Sequence, residues 1–213
     1  MTSHSTFRRL SAFLKFVALT LFIASNLATR ASAQTVFKNL HNLAFTNGSG
    51  PNAALIVSSN VLYGTTHKYG GGIAGGSGTV FKMNTDGSSF TNLHTFSGFA
   101  PDGGALYGAL VLSGGTLYGT AIFGGDLDHG CVFAIGTNGL GLTNLYSFST
   151  NSNFTNFDGA NPSSGLLLTG NTFYGTTSGG GTNGGGTLFA MNTNGTGFTN
   201  LHNFDFATGN YPG

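Results

Sequence analysis

The densest concentration of chemistry-capable side chains lies in Gly124-Gly125-Asp126-Leu127-Asp128-His129-Gly130. Two carboxylates and an imidazole within four residues are donors for a hard divalent cation or for zinc, so Asp126, Asp128 and His129 are the candidate metal ligands. Calcium wants six to eight oxygens, more than this loop supplies. The corresponding stretches, residues 70–76 and 179–186, carry no acidic side chain. The cluster is therefore peculiar to one part of the chain, and a polar surface turn is the plainer expectation.

Other chemistry is sparse. There is no Glu, and Asp86 and Asp102 sit at turn signals. A glycosidase needs two carboxylates facing one bond. Asp102 and Asp158, both near the starts of repeats, are the candidates for such a rim, although nothing in the sequence requires it. No G-x-S-x-G nucleophile elbow occurs. The Gly-rich stretches do not run into a Gly-Lys-Ser/Thr sequence, so a phosphate cradle is not expected. His41, His94 and His202 share one position of a repeat, with Tyr146 in the remaining copy; packing or strand-edge hydrogen bonding is expected of them, with a repeated binding subsite as the alternative. The single cysteine, Cys131, has no disulfide partner and no evident base, so it is expected to be a small buried residue. No catalytic constellation and no cofactor motif emerge.

The elements that would position these residues repeat with a period of about 55 residues. Leu62-Tyr63-Gly64-Thr65 returns as Leu117-Tyr118-Gly119-Thr120 and Phe173-Tyr174-Gly175-Thr176. After a Gly-rich loop come Gly78-Thr79-Val80-Phe81, Gly130-Cys131-Val132-Phe133 and Gly186-Thr187-Leu188-Phe189. Next stands Asp86-Gly87, Asn138-Gly139 or Asn194-Gly195, read as a two-residue type I′ hairpin turn. A further strand follows, Phe90-Thr91-Asn92-Leu93-His94-Thr95-Phe96, copied at residues 142–148 and 198–204. Apolar runs at 53–57, 109–112 and 165–168 precede the Tyr-Gly-Thr strands.

Four short strands per repeat match one blade of a β-propeller, so the expected fold is all-β, an array of four-stranded antiparallel blades. Repeats fall at about 46–98, 99–150 and 151–206. A lone copy of the last strand occupies residues 35–45, and residues 207–213 resemble the start of a further repeat. Three blades and one orphan strand fall short of the usual four to eight, so an incomplete ring, or closure by self-association, is expected.

Residues 1–33 read as a secretory signal peptide: Arg8, Arg9 and Lys15, an apolar run from Phe16 to about Leu27, and Ala31-Ser32-Ala33 before Gln34. The apolar run is too short for a span of about 20 residues. Secretion, to the extracellular space or cell surface, is the expected fate. Of the seven basic residues four lie in this leader; after it three lysines stand against six aspartates, so the body is weakly acidic and unsuited to nucleic acid. With 37 Gly and only 6% charged residues, 39% hydrophobic content still provides apolar surface enough to fold.

The recurring string L-Y-G-T-T, G-T-V-F, Asx-Gly and F-x-N-L-H-x-F resembles the GloVer repeat, carried by Gloeobacter and Verrucomicrobia proteins and by choice-of-anchor surface proteins. The likeness covers nearly all of residues 36–206. It implies an exported protein, often tethered by a C-terminal sorting segment, and brings no enzymatic activity with it. The function expected is a non-catalytic binding, structural or surface-display role toward a polar ligand or cell-surface component, glycans among the options. The alternative is an extracellular carbohydrate-active enzyme, a lyase or hydrolase, whose site spans blades beyond these.

Overall fold

A computed structural model describes residues 37–70, 77–149 and 156–205. The chain divides into two compact units, Met1–Asn39 and Leu40–Gly213, and all the strands belong to the second. The stretches read as a signal peptide (1–33) and as the start of a further repeat (207–213) lie outside the described residues.

The second unit is all-β. Blade 1 is β1 (Ile56–Ser58), β2 (Val61–Thr66), β3 (Thr79–Asn84) and β4 (Thr91–Thr95), paired in sequence order. Blade 2 joins β6 (Val111–Ser113), β7 (Thr116–Ala121), β9 (Cys131–Gly136) and β10 (Thr143–Ser147). Blade 3 joins β11 (Leu167–Thr169), β12 (Thr172–Thr177), β13 (Gly184–Asn192) and β14 (Thr199–Asp205). Every pairing is antiparallel. A small two-stranded piece, β5 (Gly103–Gly104) with β8 (Phe123–Gly124), ties the opening of blade 2 to its long loop. This is a β-propeller-like array of four-stranded blades.

The invariance of glycine in Tyr-Gly-Thr has a steric cause. Gly64, Gly119 and Gly175 pair with Phe81, Phe133 and Phe189 on the neighbouring strand. Each phenyl ring lies over its glycine, and a Cβ there would meet the ring at 2.6, 2.6 and 2.5 Å. The rings then face the preceding blade. Tyr63, Val80 and Phe96 of blade 1 pack with Leu110, Leu117, Phe133 and Ile135 of blade 2. Val132 and Phe148 of blade 2 pack with Leu166, Phe173, Phe189 and Met191 of blade 3. The core therefore lies between blades, and both faces of the central blade are buried, which removes the polar alternation of a one-sided sheet. Leu110 and Leu166 are 4% and 8% exposed, whereas Leu55, at the same position of blade 1, is 47% exposed.

Three details differ from expectation. The outer strands start later than residues 53, 109 and 165 and are three residues long. The lead-in instead bonds across to the preceding blade: Ala105 N–H donates to Ser77 O at 2.6 Å, and the Thr65 and Thr120 hydroxyls donate to the carbonyls of Gly108 and Ser164. The Asx-Gly turns are not type I′, because only the glycine has positive φ, at +92°, +85° and +88° for Gly87, Gly139 and Gly195. Gly87 N–H donates to Asn84 O and Asn84 N–H to Ser88 O, closing a type I turn with a G1 bulge, and the other two turns repeat this. The Asx side chain explains the choice: Asp86, Asn138 and Asn194 accept from the N–H two residues on, at 2.8, 3.0 and 3.1 Å, which suits right-handed backbone. Finally, the lone copy at 35–45 forms no strand over its described residues, 37–45.

Candidate functional site

The chemistry-capable residues gather where one blade meets the next. In every blade the pairing of the third and fourth strands shifts register at one leucine. Phe81 pairs with Asn92 and Val80 with His94, leaving Leu93 unpaired; Leu145 and Leu201 are passed over in the same way. Such a bulge re-aims the side chains around it. The backbone of Leu93 meets the Gly139 turn of the next blade, Leu145 meets Gly195, and Leu40 meets Gly87, so closely that a Cβ on any of these glycines would lie within 3 Å of the leucine carbonyl oxygen. Residues 40–41 thus occupy the place of the fourth strand of a blade ahead of blade 1.

The residue after each leucine is the His/Tyr position, and at His41, His94 and Tyr146 it holds the opening turn of the next repeat. His94 Nε2 lies 3.2 Å from Asp102 Oδ1. Asp102 also accepts from Ser97 N–H at 2.8 Å and from Gly103 N–H at 3.0 Å. Burial pushes its pKa up, but the hydrogen bonds from His94, Ser97 and Gly103 and the His94 charge outweigh it and hold the carboxyl below its ordinary value. In the next blade Tyr146 O–H donates to Asp158 at 2.8 Å, and Ser149 adds its N–H and its hydroxyl. Burial first, then the Asp158 hydrogen bond and charge, push the Tyr146 phenol up. In the first copy His41 Nε2 lies 2.9 Å from Asn47 Nδ2. His41 and Tyr146 also stack on Phe90 and Phe198, at 3.9 and 4.1 Å with planes within 5° and 8° of parallel.

Asp102 and Asp158 are thus equivalent positions in successive blades, each with its own set of donors. Asp102 also lines a cleft of about 320 Å³ together with Asp126, Pro101, Leu142 and Asn144. The candidate metal ligands do not converge. Asp128 turns its carboxylate back to accept from Gly124 N–H at 3.1 Å, with its backbone in the left-handed region. Asp126 is exposed, and its N–H donates to the Ser147 hydroxyl. Among the described residues no three His, Cys, Asp or Glu side chains are grouped to hold a metal ion.

Cys131 is fully buried. It faces Ala121 where the other blades have hydrogen-bonded threonines, Thr66 with Thr79 and Thr177 with Thr187, each at 2.9 Å. Burial, then the charges of Asp102 and Asp126, push its thiol up to about 12.

A second cleft, of about 330 Å³, lies at the junction of blades 1 and 2 and was not singled out from the sequence. His67, Lys68, Tyr69, Ser77, Ala105, Tyr107 and Phe123 line it. His67 donates from Nδ1 to Gly50 O at 2.7 Å, and its ring lies 4.5 Å from that of Tyr107. The available signal was divergence between repeats: His67 corresponds to Ile122 and Ser178, Tyr69 to Gly124 and Gly180, and Tyr107 to Asn52 and Ser163.

The model of the Gloeobacter/Verrucomicrobia repeat matches residues 27–153, more than half of the chain. The chain belongs to this family. The Gloeobacter/Verrucomicrobia repeat match takes in the residues 40–41 that stand in for a fourth strand, together with blades 1 and 2. Two solved structures are similar at low identity: a nidogen/laminin complex (16% identity, TM-score 0.44, 67% of this chain covered) and the tricorn protease (15%, 0.44, 70%). This member of the Gloeobacter/Verrucomicrobia repeat family spans 44% of the first of those chains and 12% of the second. No curated protein matches it. No helix among the described residues is long and apolar enough to cross a membrane.

Proposed function

We propose that the chain is an exported, non-catalytic repeat protein that binds a polar ligand or cell-surface component, with glycans as the ligand class. The observation that carries this reading is the equivalence of His94–Asp102, Tyr146–Asp158 and His41–Asn47. Three different chemistries, one of them with an amide that cannot titrate, serve one place in the repeat. Shape and hydrogen bonding are what that place requires, and proton transfer is not. The loops around it, residues 42–50, 97–103 and 149–159, carry Asn, Ser and Thr, which suit hydroxyl-bearing ligands through hydrogen bonds.

A carbohydrate-active enzyme is the second reading, favoured by the presence of Asp102 and Asp126 in one cleft. Catalysis by two carboxylates would set one as acid against the other as base or nucleophile. One experiment separates the two. The secreted protein is run by affinity electrophoresis through gels containing acidic or neutral polysaccharides, and the same polymers are assayed for released reducing ends or unsaturated products. Retardation without product is expected. Product formation that Asp126→Asn abolishes would overturn the non-catalytic reading. N-terminal sequencing of the secreted chain is expected to begin at Gln34.

A further inference from the structure

We propose that the cleft between blades 1 and 2 is a saccharide subsite for an acidic pyranoside, a uronate unit of a polysaccharide; this rests on the glycan-binding reading and gives it a place and a charge. The argument begins with what the fold does not need. The backbone of Lys68 bridges Ser49, that of Phe123 bridges Gly104, and that of Gly179 bridges Ala160, the same contact in three repeats. Glycine suffices in the third, so the side chains of Lys68 and Phe123 are not there to make the bridge. Tyr69 stands where the other repeats have glycine, and Tyr107 where they have Asn52 and Ser163.

These departures converge on one cleft. Tyr69, Tyr107 and Phe123 are 36%, 38% and 50% exposed, an expense of apolar surface in water that the interblade cores do not require. Phe45 closes on the edge of Tyr69 at 4.6 Å, and the His67 ring braces Tyr107. Each supported ring can receive the C–H face of a pyranose, while the Tyr hydroxyls and the Ser77 hydroxyl offer hydrogen bonds at its rim. At about 330 Å³ the cleft is at the small end of the range for ligand sites, which fits a short unit rather than an extended chain.

Charge selects among pyranosides. Lys68 is an exposed cation in a cleft with no carboxylate among its described lining residues, on a body where aspartates outnumber lysines. A uronate carboxylate pairs with that ammonium, while a cationic or phosphate-free neutral sugar leaves it unused.

The test uses the full chain with trimers of galacturonate and mannuronate and their methyl esters, by calorimetry. The acid form is expected to bind at least tenfold more tightly than the ester. Tyr107→Ala and Phe123→Gly are each expected to weaken binding tenfold or more, and Lys68→Gln to bring the acid form to the level of the ester while leaving ester binding unchanged. Melting curves accompany each variant, and Phe123→Gly copies the residue blade 3 already uses, so loss of fold is distinguishable from loss of site. Leu140→Ala, at an exposed turn, is the control. If the trimers bind and these three variants bind as the parent does, the site lies elsewhere and only the location is overturned. If the chain is retarded by neutral polysaccharides and ignores uronates, the ligand chemistry is overturned. If it is retarded by none, the glycan-binding reading itself falls.

Discussion

Nε2 of His94 lies 3.2 Å from Oδ1 of Asp102, and this contact joins the last strand of blade 1 to the opening turn of blade 2. Both side chains are largely shielded, and the carboxylate collects two further N–H donors from Ser97 and Gly103. The folded chain therefore prefers the ionised carboxylate more than the unfolded chain does. Its pKa is depressed relative to the unfolded value of about 3.9. The resulting stability is fully present above that value and is lost as pH falls through the lower folded pKa. Asp102→Asn is expected to cost about 1–3 kcal/mol at pH 7, the range for breaking a charged hydrogen-bond set. It should also flatten the acid limb of stability below about pH 4. Thermal melts of both proteins between pH 7 and pH 2 check this; parallel curves would show that the ionised carboxylate does not discriminate folded from unfolded chain.

Two positions in blade 2 have changed together. Where Thr66 and Thr79, and Thr177 and Thr187, share a hydrogen bond, Ala121 faces Cys131 and neither hydroxyl is present. A single hydroxyl in that buried place forfeits the partner it has in the other blades. Cys131→Thr is therefore expected to destabilise, and adding Ala121→Thr to recover part of the loss, with a favourable coupling of about 1 kcal/mol. Urea melts of the two single variants and the double close the cycle, and additivity would mean the pair is not coupled.

The Cys131 thiol is expected to be inert in the folded protein. Buried and pushed up to about 12, it has almost no thiolate at neutral pH. Iodoacetamide at pH 8 should leave the native chain unmodified and label it quickly in denaturant, as mass spectrometry would record. Labelling at the same rate in both conditions would mean that the core between blades 1 and 2 opens readily.

How much of this was legible in the sequence depends on how local each feature is. Tyr-Gly-Thr and Gly-Thr-Val-Phe recur nearly unchanged because each is fixed by a cross-strand contact inside one blade, the phenyl ring over the glycine. Blade architecture could therefore be read directly. The turn type could not, since Asx-Gly serves both a type I′ turn and a type I turn with a bulge, and the choice falls to where the Asx oxygen bonds. The blade-to-blade contacts were hidden by variable spacing: Asp102 lies 8 residues after His94, Asp158 lies 12 after Tyr146, and the first copy uses an amide. The aromatic cleft was further from view, because residues 67–69, 107 and 123 come together only when two blades pack. In a chain of near-identical repeats its trace is the set of positions that differ.

The turn glycines carry the last test. Gly139 has φ +85°, and a Cβ on it would stand 2.9 Å from the carbonyl oxygen of Leu93. Gly141, two residues on, has φ +70° with nothing within 4 Å of a Cβ. Both substitutions to alanine place an L-residue in the left-handed region, at a cost of roughly 1 kcal/mol each. Only Gly139→Ala also forces the turn of blade 2 away from the bulge of blade 1. It is expected to cost the chain clearly more than Gly141→Ala, about 2–3 kcal/mol in all, in line with strain that the surroundings cannot relieve. Chemical denaturation of the two variants side by side measures the difference. Equal losses would show that the leucine bulge yields to the turn, and that the contact between blades is softer than its geometry implies.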